Sequence, residues 1–451
     1  MQNAGRADWA DWEPSSSVAS GSLPSRRVLT ADSLATLAAN VLGAVTNLLF
    51  WIAAAFLFSA ADVGAAGVVI GAALGLSTVS NFSVGTLATQ YLPLSGSQAM
   101  RWFFRSHFAV LAASVTTGSL FLLIAPRDLL FGSPTEVLMF PALVGILSLS
   151  MLYDPAASGL GRARWSALAN ASHATLRLVL LPIFAFIPLG TTGVVLAWFL
   201  PVMILVPILS VAIMSRIGKT QPNEVPPEAG RRGQLLRDFR LSYAPALLAA
   251  LVPAALPFII IKTLGPEQAG YYIVTFSLVM MLAVLLSATV GPFTSAATQY
   301  AADLAGLTYR FGFLSVLATI ASSMFLAVIA PTGLGLIGED YRTHGGPLLQ
   351  LAAAAIPFLA FGAFYGALAQ IRKDYRRVII TQLVSTATLL LGAAFFAGHA
   401  GLAAVGWSFL LAEVLVAAIV FVPAVRAIRA ALRSRTGGAS YTRASDSTVA
   451  S

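Results

Sequence analysis

The chain has 451 residues, of which 58% are hydrophobic and only 10% charged, with 27 Lys and Arg against 18 Asp and Glu for a net charge of +9. A soluble globular domain carries about 25% charged residues, so this composition excludes a soluble protein and indicates a polytopic membrane protein. There is no cysteine, and the four histidines fall in no ligand-type spacing, which excludes disulfides and offers neither a metal site nor a cofactor motif.

In chain order, residues 1–32 are polar, carry Asp8, Asp11 and Glu13, and lack the basic start of a signal peptide, so they read as a disordered cytoplasmic tail. Apolar runs near the ~20 residues that cross a bilayer core then follow at 33–58, 64–92, 104–125, 136–160, 167–189 and 191–215. Together they predict a six-helix bundle over 33–215. A linker over 216–239, with Pro222, Pro226 and Pro227, separates it from a second bundle over 240–430. The spans expected there are 240–262, 269–298, 309–330, 347–371, 378–398 and 401–425, before a disordered cytoplasmic tail at 431–451.

Placing the termini and even-numbered loops on one face gives that face 23 of the 27 basic residues, against Arg127, Lys262 and Arg342 on the other and Arg177 within a span. By the positive-inside rule both termini are cytoplasmic, in the plasma or inner membrane. The basic balance is therefore a topology signal and not a nucleic-acid patch.

The four residues Ala88-Thr-Gln-Tyr91 recur as Ala297-Thr-Gln-Tyr300, 209 positions later, and Trp198 and Trp407 share that offset. Upstream, Phe58-Ser-Ala-Ala-Asp-Val-Gly64 aligns with Leu264-Gly-Pro-Glu-Gln-Ala-Gly270. Six spans per half make the two copies parallel, related by an axis along the membrane normal. The expected fold is all-α: twelve transmembrane helices in two parallel six-helix repeats around a central cavity.

These turns, above all Gly265-Pro-Glu-Gln-Ala-Gly-Tyr-Tyr272, and the stretches before Trp198 and Trp407 resemble the polysaccharide-type flippases of the multidrug/oligosaccharidyl-lipid/polysaccharide exporter superfamily. The resemblance spans about 33–425, and glycine at the turn reads as permitting a sharp chain reversal. The first-half turn departs from the pattern in lacking Gly-Pro and Tyr. What the resemblance implies is alternating-access flipping of an isoprenoid-diphosphate-linked oligosaccharide to the outer leaflet, for surface polysaccharide biosynthesis. Membrane lipids and other polysaccharide-assembly membrane proteins are the expected partners, with no nucleic acid and no cofactor.

Charged and amide side chains inside spans are costly in lipid and mark candidate sites. Arg177 lies ~15 Å into the fifth span at 1.5 Å per residue, and Asn170, His173 and Arg177 share a helical face. A guanidinium there suits a diphosphate through bidentate hydrogen bonds; structural pairing with a carboxylate is the competing account. Glu413, similarly deep in the last span, is read as that partner, as a coupling group, or as a helix–helix hydrogen bonder. Asp154, before Pro155, either marks a kink or lines the cavity. Asn40 and Asn47 share a polar stripe on the first span; the resemblance places them on the cavity, and helix–helix hydrogen bonding also explains them. Gln90, Tyr91, Gln299, Tyr300 and the kink at Pro292 are gate candidates, with interfacial anchoring the plainer role for the tyrosines.

An ion-coupled small-molecule or drug antiporter of the same superfamily is the alternative, and would favour acidic cavity residues. A membrane glycosyltransferase or polymerase would need a large outer loop, and the longest here, 331–346, is short. The chain is accordingly read as a carrier and not an enzyme. No nucleotide-binding loop is present, so an ion gradient or membrane potential is the expected energy source.

Overall fold

The computed structural model describes residues 26–81, 84–92, 98–217, 231–288, 290, 293–294, 304–371 and 374–445, and all regular structure among them is helical. The first half runs α1 (Arg26–Leu57), α2 (Ala60–Asn81), α3 (Val84–Tyr91), α4 (Ala99–Ile124), α5 (Arg127–Leu130), α6 (Pro134–Gly159), α7 (Ala163–Ala185) and α8 (Thr191–Ile217). The second half begins with α9 (Arg231–Leu264), α10 (Pro266–Ala288) and α11 (Leu304–Met324), which passes through a π segment at Phe325–Ile329 into α12 (Ala330–Ile337). It closes with α13 (Glu339–Ile371), α14 (Tyr375–Ala400) and α15 (Leu402–Ser445). Eleven stretches among the described residues are long and apolar enough to cross a membrane, and Val41–Leu57 of α1 is a shorter apolar one. The protein is a multi-pass membrane protein built from two helical repeats.

Local chemistry fixes the turns at one end of the molecule, called the turn end below. Ser59 caps α2: its Oγ accepts from the Asp62 amide at 3.1 Å, satisfying an otherwise orphaned helix-end donor, and donates to Asp62 Oδ2 at 2.6 Å. Ser133 and Glu136 repeat the device on α6, with Glu136 Oε2 also accepting from the Gly132 amide at 2.9 Å. α9 ends at Gly265, whose φ of +90° is open to glycine at little cost.

Within the first half α4 packs on α6, and α7 packs on both α8 and α1; in the second half α13 and α14 pack on α15, and α14 on α9. The halves meet where α2 lies against α9 and α10, and α1 against α10. This contact corrects the sequence reading of the repeated glycines. Gly265 makes the reversal, whereas Gly64 and Gly270 lie one turn inside α2 and α10, outside the positive-φ region. Their role is close approach. A Cβ on Gly64 would run into the Pro266 carbonyl oxygen and the Gly270 amide, and a Cβ on Gly270 into the Ala60 carbonyl oxygen. Further along α2, Gly67 faces Ile273 of α10, Gly71 the Pro253 carbonyl and Gly75 the Ala254 methyl of α9. Small residues at such crossings let helix backbones approach where lipid provides no hydrophobic drive to association.

Candidate functional site

Beside the glycine crossing, with Gly67, Gly71, Pro253 and Ile273 in its wall, the halves enclose a cavity of about 570 Å³. The first half contributes Asn47, Trp51 and Trp198, and the second Tyr272, Phe276, Phe409, Gln382, Ser385 and Glu413. Most of this wall is apolar or aromatic. Glu413 is the acidic group on it, 6% exposed, and its Oε1 accepts from Ser385 Oγ at 3.1 Å. Among the described residues Glu413 has no ion-pair partner.

A second recess of about 320 Å³ lies inside the first half, lined by Asn47, Asp154, Asn170, His173, Arg177 and Trp198 together with apolar groups. Asn47, Leu74 and Trp198 line both spaces, so they form the wall between recess and central cavity. Arg177 is 5% exposed; its Nη1 donates to Asn47 Oδ1 at 3.4 Å and the guanidinium lies 5.4 Å from the Phe50 ring centre. Its Nε is buried with no acceptor, and among the described residues no carboxylate is within ion-pair distance. His173 Nε2 sits 3.0 Å from the Trp198 carbonyl oxygen; since a carbonyl only accepts, Nε2 carries the proton there. The two rings meet edge to face at 4.8 Å. Asn170 Nδ2 donates to Asp154 Oδ2 at 2.9 Å at the far end of the same face.

The structure thus gathers Asn47, Asp154, Asn170, His173 and Arg177 in one recess and sets Glu413 on the central cavity. An Arg177–Glu413 pair, one of the readings open from sequence, is not formed. Gln299, Tyr300 and Pro292, and the side chains of Asn40, Gln90 and Tyr91, lie outside the described residues. Gln382 and Ser385 escaped the sequence reading although they are polar, three residues apart and on an apolar helix. The polar-stripe rule applied to the first span would have found them. At the α13–α14 corner Arg377 is bound by Asp374 at 3.0 Å, which partly neutralises its charge.

No protein-family model and no curated protein sequence matches the chain. Solved structures do. A multidrug resistance MATE family transporter of the MOP superfamily in its inward-facing conformation superposes with a TM-score of 0.66 at 15% identity, over 89% of this chain and 99% of that one. The outward-facing conformation of a MATE transporter gives 0.58 at 16% identity, over 89% and 96%. A MOP superfamily transporter from Pyrococcus furiosus Vc1, described by the reverse polarity of its binding pocket and a different function that this suggests, gives 0.56 at 15% identity over 88% and 96%. At such identities the likeness establishes architecture: the chain has the two-repeat helical fold of MATE transporters of the MOP superfamily.

Proposed function

We propose that the protein is an alternating-access exporter that carries an amphipathic organic molecule through the central cavity, coupled to a cation or proton at Glu413. The observation that carries this reading is the unpaired, buried Glu413 carboxylate in an aromatic-walled space between two repeats. Aromatic faces accommodate flat apolar bodies and attract cations, and a lone carboxylate in a low-dielectric wall binds a positive charge strongly. The positive-inside rule puts the turn end outside, with both termini cytoplasmic in the cell membrane. On that topology the backbone crossing at Gly64 and Gly270 lies at the outer end, while α2 also meets α9 toward its other end, where Tyr243 Oη donates to the Val79 carbonyl at 3.0 Å. The better superposition on an inward-facing transporter supports an inward-facing reading. In proteoliposomes, a lipophilic cationic dye should be driven out by an imposed proton or sodium gradient. Glu413→Gln should reduce that flux by on the order of tenfold or more, about 1.4 kcal/mol per decade; equal fluxes would remove Glu413 from the mechanism.

Arg177 favours a second reading, flipping of an isoprenoid-diphosphate-linked oligosaccharide for surface polysaccharide assembly, alongside other membrane proteins of that process. A buried guanidinium with no ion-pair partner among the described residues, one residue behind the cavity wall, is suited to bidentate binding of a diphosphate. The isoprenoid tail would stay in lipid. Flipping of a fluorescent polyprenyl-diphosphate sugar in liposomes tests it, and equal rates for wild type and Arg177→Ala would end it.

A further inference from the structure

We propose that the reciprocal glycine crossing of α2 and α10 is a side-chain-free latch that closes the outer side and must part for the cavity to open outward. The inference rests on the alternating-access reading, and it concerns what holds the closed end shut. Gly64 and Gly270 occupy equivalent positions of the two repeats, and each is blocked by the backbone of the other copy: Gly64 by Pro266 and Gly270, Gly270 by Ala60. Ala60 and Pro266 are themselves repeat equivalents, each opening its helix. A pseudo-twofold contact of this kind is made twice or not at all.

Each side of the latch is bound into its own half. Asp62, two residues before Gly64, accepts from Ser59 Oγ and from Thr191 Oγ1 of α8 at 3.0 Å. Tyr271, next to Gly270, packs edge-on to Tyr341 at 4.9 Å and face to face with His344 at 4.9 Å, both on α13. Between α2 and α10, by contrast, no side-chain hydrogen bond is formed among the described residues, and the closest approach is backbone to backbone. Side-chain bonds that tie each flank to its own half, and their absence across the α2–α10 crossing, suit separation of the halves at this end; the cross-half bond from Tyr243 Oη to the Val79 carbonyl lies at the other end of α2. A Cβ at either glycine occupies the space of a carbonyl that cannot yield, so it penalises the closed arrangement and leaves an arrangement parted at this end unpenalised.

The chain has no cysteine, so a single reporter can be placed without background. Met280→Cys, on the cavity wall, is to be labelled with a membrane-impermeant maleimide from each side of oriented vesicles. Gly64→Ala or Gly270→Ala should shift the ratio of outer to cytoplasmic labelling outward by on the order of tenfold. Gly346→Ala, whose Cβ would meet nothing within 4 Å, should leave the ratio unchanged. Should either variant not fold, Gly67→Ala serves: the three atoms nearest its Cβ would all belong to the Ile273 side chain, so it should shift the ratio outward and Ile273→Ala should restore it. Two-sided access that is insensitive to all these glycines overturns the latch. Access from one side only in every background overturns alternating access itself, and neither outcome depends on identifying the substrate.

Discussion

The two halves share a fold and differ in where they keep their polar groups. The first half encloses a recess with Arg177, His173, Asn170 and Asp154 inside it, while the second places Glu413 and Ser385 on the shared cavity. Trp198 is 7% exposed in the recess wall, and Trp407, at the same repeat position, is 61% exposed on the outside of its half. The first half is also stapled at the turn end. Thr191 and Thr192, neighbours at the start of α8, donate to Asp62 of α2 at 3.0 Å and Glu136 of α6 at 2.9 Å. The offset that pairs Trp198 with Trp407 sets Ala400 and Gly401 opposite these threonines and so supplies no hydroxyl. Equivalence survives where the halves touch, at Gly64 and Gly270, and has been lost where each faces a cavity. A contact made about a pseudo-axis constrains both copies alike, whereas a ligand in the cavity sees two different walls.

The largest test of this contrast is Arg177→Met. Placing an arginine at the centre of a membrane helix costs about 2.5–3.5 kcal/mol on insertion scales, and among the described residues no ion pair offsets it. The 3.4 Å bond to Asn47 and the face of Phe50 recover part of that. Arg177→Met should therefore stabilise the protein by about 2 kcal/mol, within the range seen when buried charges are replaced by apolar groups of similar volume. Reversible unfolding in mixed micelles would measure it. Glu413→Gln keeps an acceptor for Ser385 and should change stability less. Loss of stability on removing Arg177 would mean that the guanidinium holds the half together and is not poised for a ligand.

The staple gives the next effect. Asp62→Ala removes the acceptor of the Ser59 cap hydroxyl and of the Thr191 bond to α8, a loss of about 1–2 kcal/mol. Gln268 is the repeat equivalent on α10, and no bond from its side chain ties α10 to a neighbouring helix among the described residues. Gln268→Ala should stay within about 0.5 kcal/mol. Equal effects at the two positions would show that both halves are stapled alike.

Much of this architecture was legible because membrane folding writes itself into composition. Apolar runs of the right length and the duplicated turn gave the two bundles, since a spanning helix must satisfy its own backbone and cover it with apolar side chains. Arg177, His173 and Asn170 were legible as one face because helical spacing fixes direction. What stayed hidden depends on contact between distant segments. Gly64 and Gly270 read as turn residues because the α2–α10 crossing is set by packing two halves together. The separation of Arg177 from Glu413 was equally invisible, as depth along two helices says nothing of their rotation toward one another. The aromatic wall of Trp51, Tyr272, Phe276 and Phe409 carries no signal in a sequence where apolar residues are everywhere.

The smallest effect belongs to the matched tryptophans, and it is the sharpest on the asymmetry. Trp198 packs edge-on to His173 at 4.8 Å and to Phe199 at 5.3 Å and separates the recess from the central cavity. Its carbonyl holds His173 whatever the side chain, so Trp198→Phe leaves that bond and removes only part of the partition. The lost aromatic contact should cost about 1 kcal/mol. Trp407→Phe, on an exposed face of the second half, should fall within about 0.5 kcal/mol of zero. The same substitution at two positions of one repeat then reads out function as well. If Arg177 serves the central cavity, thinning the wall at Trp198 should raise the access of a small thiol reagent to Leu147→Cys, a recess-lining position that is only 3% exposed. Trp407→Phe should leave that access unchanged, and a change of equal size for both would show that the recess opens by a route other than this wall.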